Sequence, residues 1–204
     1  MPSSRRRISR LAAVKLILGS SSPFRRELLD RLGLDYECDS PEIDESRLEG
    51  ETAEAMVMRL AEAKARAVAK RHPDALIIGS DQVAVLGEKI LGKPGTHDKA
   101  FEQLKTATGQ LVIFQTGLCL YDSRSDIAQL DRVPFAVQFR HLSDEQIEHY
   151  LQRERPYNCA GSFKSEGLGI ALFERMQGED PNALIGLPLI RLVSMLETAG
   201  VQVL

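Results

Sequence analysis

Apolar positions in this chain follow two rhythms. Short apolar runs bounded by glycine, serine or charged residues predict strands at 15–18, 76–86, 111–121 and 127–139, with a weaker candidate at 35–38. Recurrence every three to four residues predicts helices. The clearest covers 52–70, where Ala53, Met56, Val57, Leu60 and Ala61 share a stripe continued by Ala67 and Val68. A second covers 23–32, with Ser22 as N-cap, Pro23 at the first helical position, Leu28, Leu29 and Leu32 as its stripe, and Gly33 as its stop. Others are expected at 98–107, at 143–153 behind the capping box Ser143-Asp144-Glu145-Gln146, and after Gly186-Leu187-Pro188, with Leu189, Leu192, Val193 and Leu196 inward. Interleaved strands and helices with no repeat or linker predict one α/β unit over 15–204.

Four residues break the pattern. Lys64 lies on the apolar stripe of the 52–70 helix, where it either snorkels to the surface or turns an ammonium inward to a polar cleft. Asp81 interrupts the most apolar strand, on the face of Ile77, Val83 and Val85. A buried carboxylate there needs a cation, a metal or a proton, unless Gly79-Ser80-Asp81 is a turn between two shorter strands. Arg25 and Arg26 occupy the first turn of a helix, where carboxylates are the usual choice. Together with three serines and the helix N–H groups they suit a bound anion, such as a phosphate chain; the alternative is a solvated face.

Composition narrows the partners. Hydrophobic residues make up 43% and charged residues 27% of 204, as in ordinary globular proteins. A net charge of −3 disfavours a nucleic-acid partner, and no apolar run approaches the ~20 residues that cross a bilayer. Cys38, Cys119 and Cys159 are dispersed and form no CxxC pair, so neither a disulfide framework nor a zinc site is expected and a reducing cytoplasm fits. The four histidines show no metal-ligand spacing. Residues 1–14 carry Arg5, Arg6, Arg7 and Arg10 without the apolar stretch of a signal peptide, and read as a tail or an over-extended start.

The segments Ser20-Ser21-Ser22-Pro23-Phe24-Arg25-Arg26-Glu27-Leu28-Leu29, Val57-Met58-Arg59-Leu60-Ala61-Glu62-Ala63-Lys64-Ala65, Ile78-Gly79-Ser80-Asp81-Gln82, Gly92-Lys93-Pro94 and Ile185-Gly186-Leu187-Pro188-Leu189 stand in the order found in the Maf family of nucleotide pyrophosphatases. The chain resembles that family over roughly 15–198. Through Asp81-Gln82 and Ala160-Gly161-Ser162-Phe163-Lys164-Ser165-Glu166-Gly167 it is most similar to the branch acting on 7-methyl-GTP. The resemblance implies an α/β fold with a mixed twisted sheet, flanking helices and two lobes around a central cleft, like the inosine triphosphate pyrophosphatases. It implies hydrolysis between the α- and β-phosphates with a divalent cation (Mg, Mn or Co), and a homodimer. Asp81 falls on the catalytic position, Ser20, Arg25, Lys64 and Lys93 on substrate-binding positions, and Glu45 with Asp81 on the metal positions. Phe24, Gln82 and Glu166 fall on the specificity positions, where Phe24 stands in place of the more frequent tryptophan. Competing expectations are a dTTP/UTP or broader-specificity pyrophosphatase, and a non-catalytic nucleotide-binding regulator of septum formation.

Overall fold

The computed structural model describes residues 14–204. Seven strands, β1 (Lys15–Leu18), β2 (Glu37–Cys38), β3 (Ala75–Leu86), β4 (Lys89–Leu91), β5 (Leu111–Asp122), β6 (Ile127–Phe139) and β7 (Phe173–Gly178), form one sheet. Its order is β2-β1-β3-β5-β6-β7, with β4 paired to β3. β1 runs parallel to β2 and β3, and every other pairing is antiparallel. The helices are α1 (Pro23–Asp30), α2 (Ala53–Ala69), α3 (His97–Ala107), α4 (Asp144–Glu154), α5 (Pro181–Ile185) and α6 (Leu189–Thr198).

The long strands β3, β5 and β6 each reach about 40 Å, at ~3.3 Å per residue, and serve two cores. Toward one end, Leu16, Leu18, Ile78 and Leu118 pack on Leu28 and Leu29 of α1 and Leu192 and Leu196 of α6. Ile17, Ile77 and Cys119 face the other way, onto Ala61, Ala65 and Val68 of α2. Toward the other end, Ala84, Phe114 and Phe139 pack with Leu104, Ile147 and Leu151 of α3 and α4 and with Phe163 and Phe173. The two-lobed mixed sheet implied by the family resemblance is the one observed.

Two glycines let α2 lie directly on the sheet. A Cβ at Gly79 would stand 2.1 Å from the Ala61 carbonyl oxygen, and one at Gly117 would stand 2.1 Å from that of Val57. Gly117 pairs across the ladder with Asp81, so the closest approach of helix to sheet flanks that aspartate. This spacing governs what the α2 side chains can reach.

β3 is continuous through Asp81, which excludes a turn at Gly79-Ser80-Asp81. The helices at 23–32 and 52–70 are shorter than their patterns, ending at Asp30 and Ala69. Three elements went unread in the sequence: β4, a three-residue return after Gly87; β7, an edge strand with five of six residues exposed; and α5, of five residues. None is long enough, or alternates enough, to leave a periodic signal. The tail expected over 1–14 lies outside the described residues except for Val14, which packs half-buried against the core under α6 and so belongs to the fold. No helix among the described residues is long and apolar enough to cross a membrane.

Candidate active site

A cleft of about 680 Å³ opens between the lobes, and all nine site residues implied by the family resemblance line it: Ser20, Phe24, Arg25, Glu45, Lys64, Asp81, Gln82, Lys93 and Glu166. Its size lies within the range of small-molecule sites. Arg155 and Lys164 add two cations that the sequence reading did not single out.

The centre is an ion triad. Lys64 Nζ lies 2.7 Å from Asp81 Oδ1 and 3.1 Å from Glu45 Oε1. Lys64 and Asp81 are 6% and 7% exposed, whereas Glu45 sits on the open loop after β2. The lysine therefore turns inward and does not snorkel, because α2 approaches the sheet closely enough for its ammonium to meet the strand carboxylate. The cation that a buried Asp81 requires is Lys64 itself. Two of three ammonium donors are committed to carboxylates, which leaves one for a ligand.

Arg25 is held from the opposite lip. Its Nε donates to the Gly186 carbonyl at 2.7 Å. Burial pulls its guanidinium below the ordinary arginine value, opposed by Asp81 and Glu45. The same carbonyl lies 3.0 Å from Ser80 Oγ, which also reaches the Gly117 carbonyl at 2.9 Å. Gly186 follows α5 at φ 121°, a backbone that L residues rarely adopt, and the residue rests against the arginine. The conformation of Gly186 thus sets where Arg25 points. Arg26, by contrast, is exposed and faces away from the cleft-lining set.

The start of α1 is partly self-satisfied. Ser22 N donates to Ser20 Oγ at 3.1 Å, and Arg25 N to Ser22 Oγ at 3.4 Å. The cradle expected from free helix N–H groups is correspondingly smaller. Ser20 is buried and keeps its own hydroxyl proton to donate.

Lys93 reaches the cleft from the loop before α3. Gly95 N donates to the Tyr157 carbonyl at 2.9 Å, and His97 bridges Tyr157 Oη at 2.9 Å and Glu148 at 2.8 Å. Glu166 is exposed on a loop anchored by Phe163, whose ring meets Phe114 and Phe173 edge-on at 5.0 and 4.9 Å. Lys164 donates its backbone N–H to Tyr150 Oη and its Nζ to the Glu154 carbonyl. Phe24 is half-buried and lines the cleft, so it is not simply core packing.

Gln82 lines the cleft with its amide nitrogen already engaged. Its Nε2 lies within 2.6 and 3.2 Å of the Ala183 and Leu184 carbonyls and 3.0 Å of Thr116 Oγ1.

A divalent cation fits this donor set in one way. Asp81 Oδ2 and Glu45 Oε2 have no hydrogen-bond partner among the described residues. No cluster of three or more His, Cys, Asp or Glu side chains suited to a metal occurs among them either. Two carboxylate oxygens match a hard cation that completes its shell with waters and substrate phosphate oxygens, and do not match a tetrahedral zinc site.

Residues 15–199 match the family described as Maf-like protein. A Nitrosococcus oceani protein named 7-methyl-GTP pyrophosphatase is 60% identical over 93% of this chain and 95% of its own length. One of the same name from Methylobacillus flagellatus is 59% identical over 93% and 98%. Among solved structures, the Staphylococcus aureus Ham1 protein superposes with a TM-score of 0.50 at 13% identity, covering 91% of this chain and 99% of that one; this shows a shared fold. A family match across nearly the whole described chain, with relatives this similar over their full length, establishes that the chain belongs to the Maf family.

Proposed function

We propose that this protein hydrolyses 7-methyl-GTP between its α- and β-phosphates, releasing 7-methyl-GMP and pyrophosphate. The observation that carries the reading is the buried Lys64–Asp81 pair at the centre of a cleft lined by five cationic side chains. The names of the similar proteins support the substrate.

A nucleoside triphosphate brings about four negative charges, so catalysis is mainly positioning and charge neutralisation. Arg25, the remaining Lys64 donor and Lys93 bind phosphate oxygens, and Ser20 donates its hydroxyl. Asp81 Oδ1 stays fixed on Lys64 while Oδ2 orients the attacking water and accepts its proton. The water oxygen bonds to the α-phosphorus, the bond to the bridging oxygen breaks, and pyrophosphate departs with the electron pair. Glu45 and Asp81 would hold a divalent cation (Mg, Mn or Co), which when bound supplies neutralisation of the leaving-group charge.

Base choice falls to Phe24 and Glu166, which line the same cleft. N7-methylation leaves guanine cationic at neutral pH, so Phe24 stacking gains a cation–π contribution and the Glu166 carboxylate offsets the ring charge. The test is a panel of 7-methyl-GTP, GTP, dTTP and UTP, each with Mg²⁺, Mn²⁺ or Co²⁺, with products separated chromatographically. Highest kcat/KM on 7-methyl-GTP with pyrophosphate as co-product is the expected result. Preference for the pyrimidine nucleotides, or binding without turnover, overturns it.

A further inference from the structure

Gln82 and Thr116 face each other across the β3–β5 ladder on the side of the sheet that carries α5. Thr116 is fully buried. Its hydroxyl donates to the Ala183 carbonyl at 2.9 Å, which commits its proton, so toward Gln82 Nε2 at 3.0 Å the same oxygen can only accept. The Ala183 and Leu184 carbonyls, at 2.6 and 3.2 Å from Nε2, are also obligate acceptors. Three acceptors around one end of an amide determine which end it is. Turning the amide over would set Oε1 against two carbonyl oxygens and a hydroxyl with no proton to give. Oε1 is then the one polar atom of the Gln82 side chain with no partner among the described residues, on a residue that lines the cleft.

We infer that Thr116 is a positioning residue for base selection: by holding the Gln82 amide nitrogen on α5 it makes Gln82 present only a hydrogen-bond acceptor to the nucleobase. This rests on the nucleotide-hydrolase reading above and names the edge that the site reads. A fixed acceptor, with the Glu166 carboxylate lining the same cleft, suits a base edge bearing adjacent N–H donors. Guanine offers N1–H and the exocyclic amine side by side. Uracil and thymine offer one N–H between two carbonyl oxygens, which would face acceptors. A free glutamine would turn over to serve either edge, and the discrimination would be lost.

The experiment measures kcat/KM for 7-methyl-GTP and for UTP in the wild type, Thr116→Val and Thr116→Ser, each also in a Gln82→Ala background. Thr116→Val should lower the ratio of the two constants by about tenfold, because it removes one acceptor of the amide and also frees the Ala183 carbonyl that the hydroxyl holds against Nε2. Thr116→Ser, which keeps the hydroxyl, should stay within about twofold of wild type. In the Gln82→Ala background the valine substitution should leave the ratio unchanged, because Thr116 acts through the amide. Thr116→Ala repeats the test should the valine variant fail to fold. An unchanged ratio in Thr116→Val, equal shifts in the valine and serine variants, or a full shift without Gln82 overturns the inference. A wild type preferring UTP would overturn the substrate assignment alone, since the cycle reads changes in whichever preference exists.

Discussion

Lys64 Nζ and Asp81 Oδ1 meet at 2.7 Å between helix α2 and strand β3, each almost wholly buried. The pair joins the two elements and supplies charge to the cleft, so its loss has separable consequences. Lys64→Met leaves the Asp81 carboxylate buried and uncompensated, and should lower unfolding stability by about 3–5 kcal/mol while abolishing turnover. Adding Asp81→Asn removes the orphaned charge and should recover most of that stability but none of the activity. Urea unfolding of the single and double variants measures both effects.

Helix α2 can place its lysine there only because the sheet offers no side chain at two points. Gly79→Ala or Gly117→Ala sets a methyl group 2.1 Å from a backbone carbonyl of α2. The helix must shift, at a cost of about 1–3 kcal/mol. Turnover should fall further than stability alone explains, because the shift moves Lys64 from Asp81. Thermal unfolding alongside kcat at a temperature where each variant is folded checks this.

Gly186 carries the arginine side of the site in a similar way. Its φ of 121° is open to glycine and strained for alanine, by roughly 1–3 kcal/mol. Gly186→Ala should displace the carbonyl that receives Arg25 Nε and raise KM several-fold, with a smaller change in kcat. A saturating-substrate assay separates the two constants.

Away from the cleft, Asp39 ties the end of β2 to the end of α2. Arg71 donates two 2.8 Å hydrogen bonds to its carboxylate, and His72 Nε2 lies 2.8 Å away. The Arg71 bonds, with a smaller effect of His72 and against partial burial, hold the carboxyl down at about 2. Because the folded value lies below the unfolded one, the stabilisation is complete above about pH 4 and is lost as pH falls through about 2. Arg71 is exposed and Asp39 partly so, so solvent screening keeps the effect on the order of 1 kcal/mol. Urea midpoints from pH 5 to pH 2 should fall more steeply for wild type than for Asp39→Asn.

How far the site was legible from sequence differs residue by residue. Asp81 was visible as a carboxylate inside an apolar strand, since period-two alternation fixes its face without knowledge of what covers it. Lys64 was visible only as an ambiguity: helical periodicity places it on the buried stripe, but a long side chain can leave that stripe. The close approach at Gly79 and Gly117 decides the matter, and it is a tertiary fact. The fixed amide of Gln82 was invisible because its acceptors, Ala183 and Leu184, lie about a hundred positions along the chain, on a five-residue helix with no periodic signal. β7 was missed for the complementary reason, as an exposed edge strand with no buried face to alternate against.

In the proposed mechanism Asp81 activates the water that attacks the nucleotide. This role is tested most directly by Asp81→Asn, with single-turnover hydrolysis of 7-methyl-GTP measured beside the Kd of a non-hydrolysable α,β-methylene analogue. The asparagine keeps the shape of the side chain and loses the proton acceptor. The hydrolytic rate should fall by about 10²–10⁴-fold with Kd within a few-fold of wild type. Turnover near the wild-type rate in a variant that binds the analogue normally would contradict it.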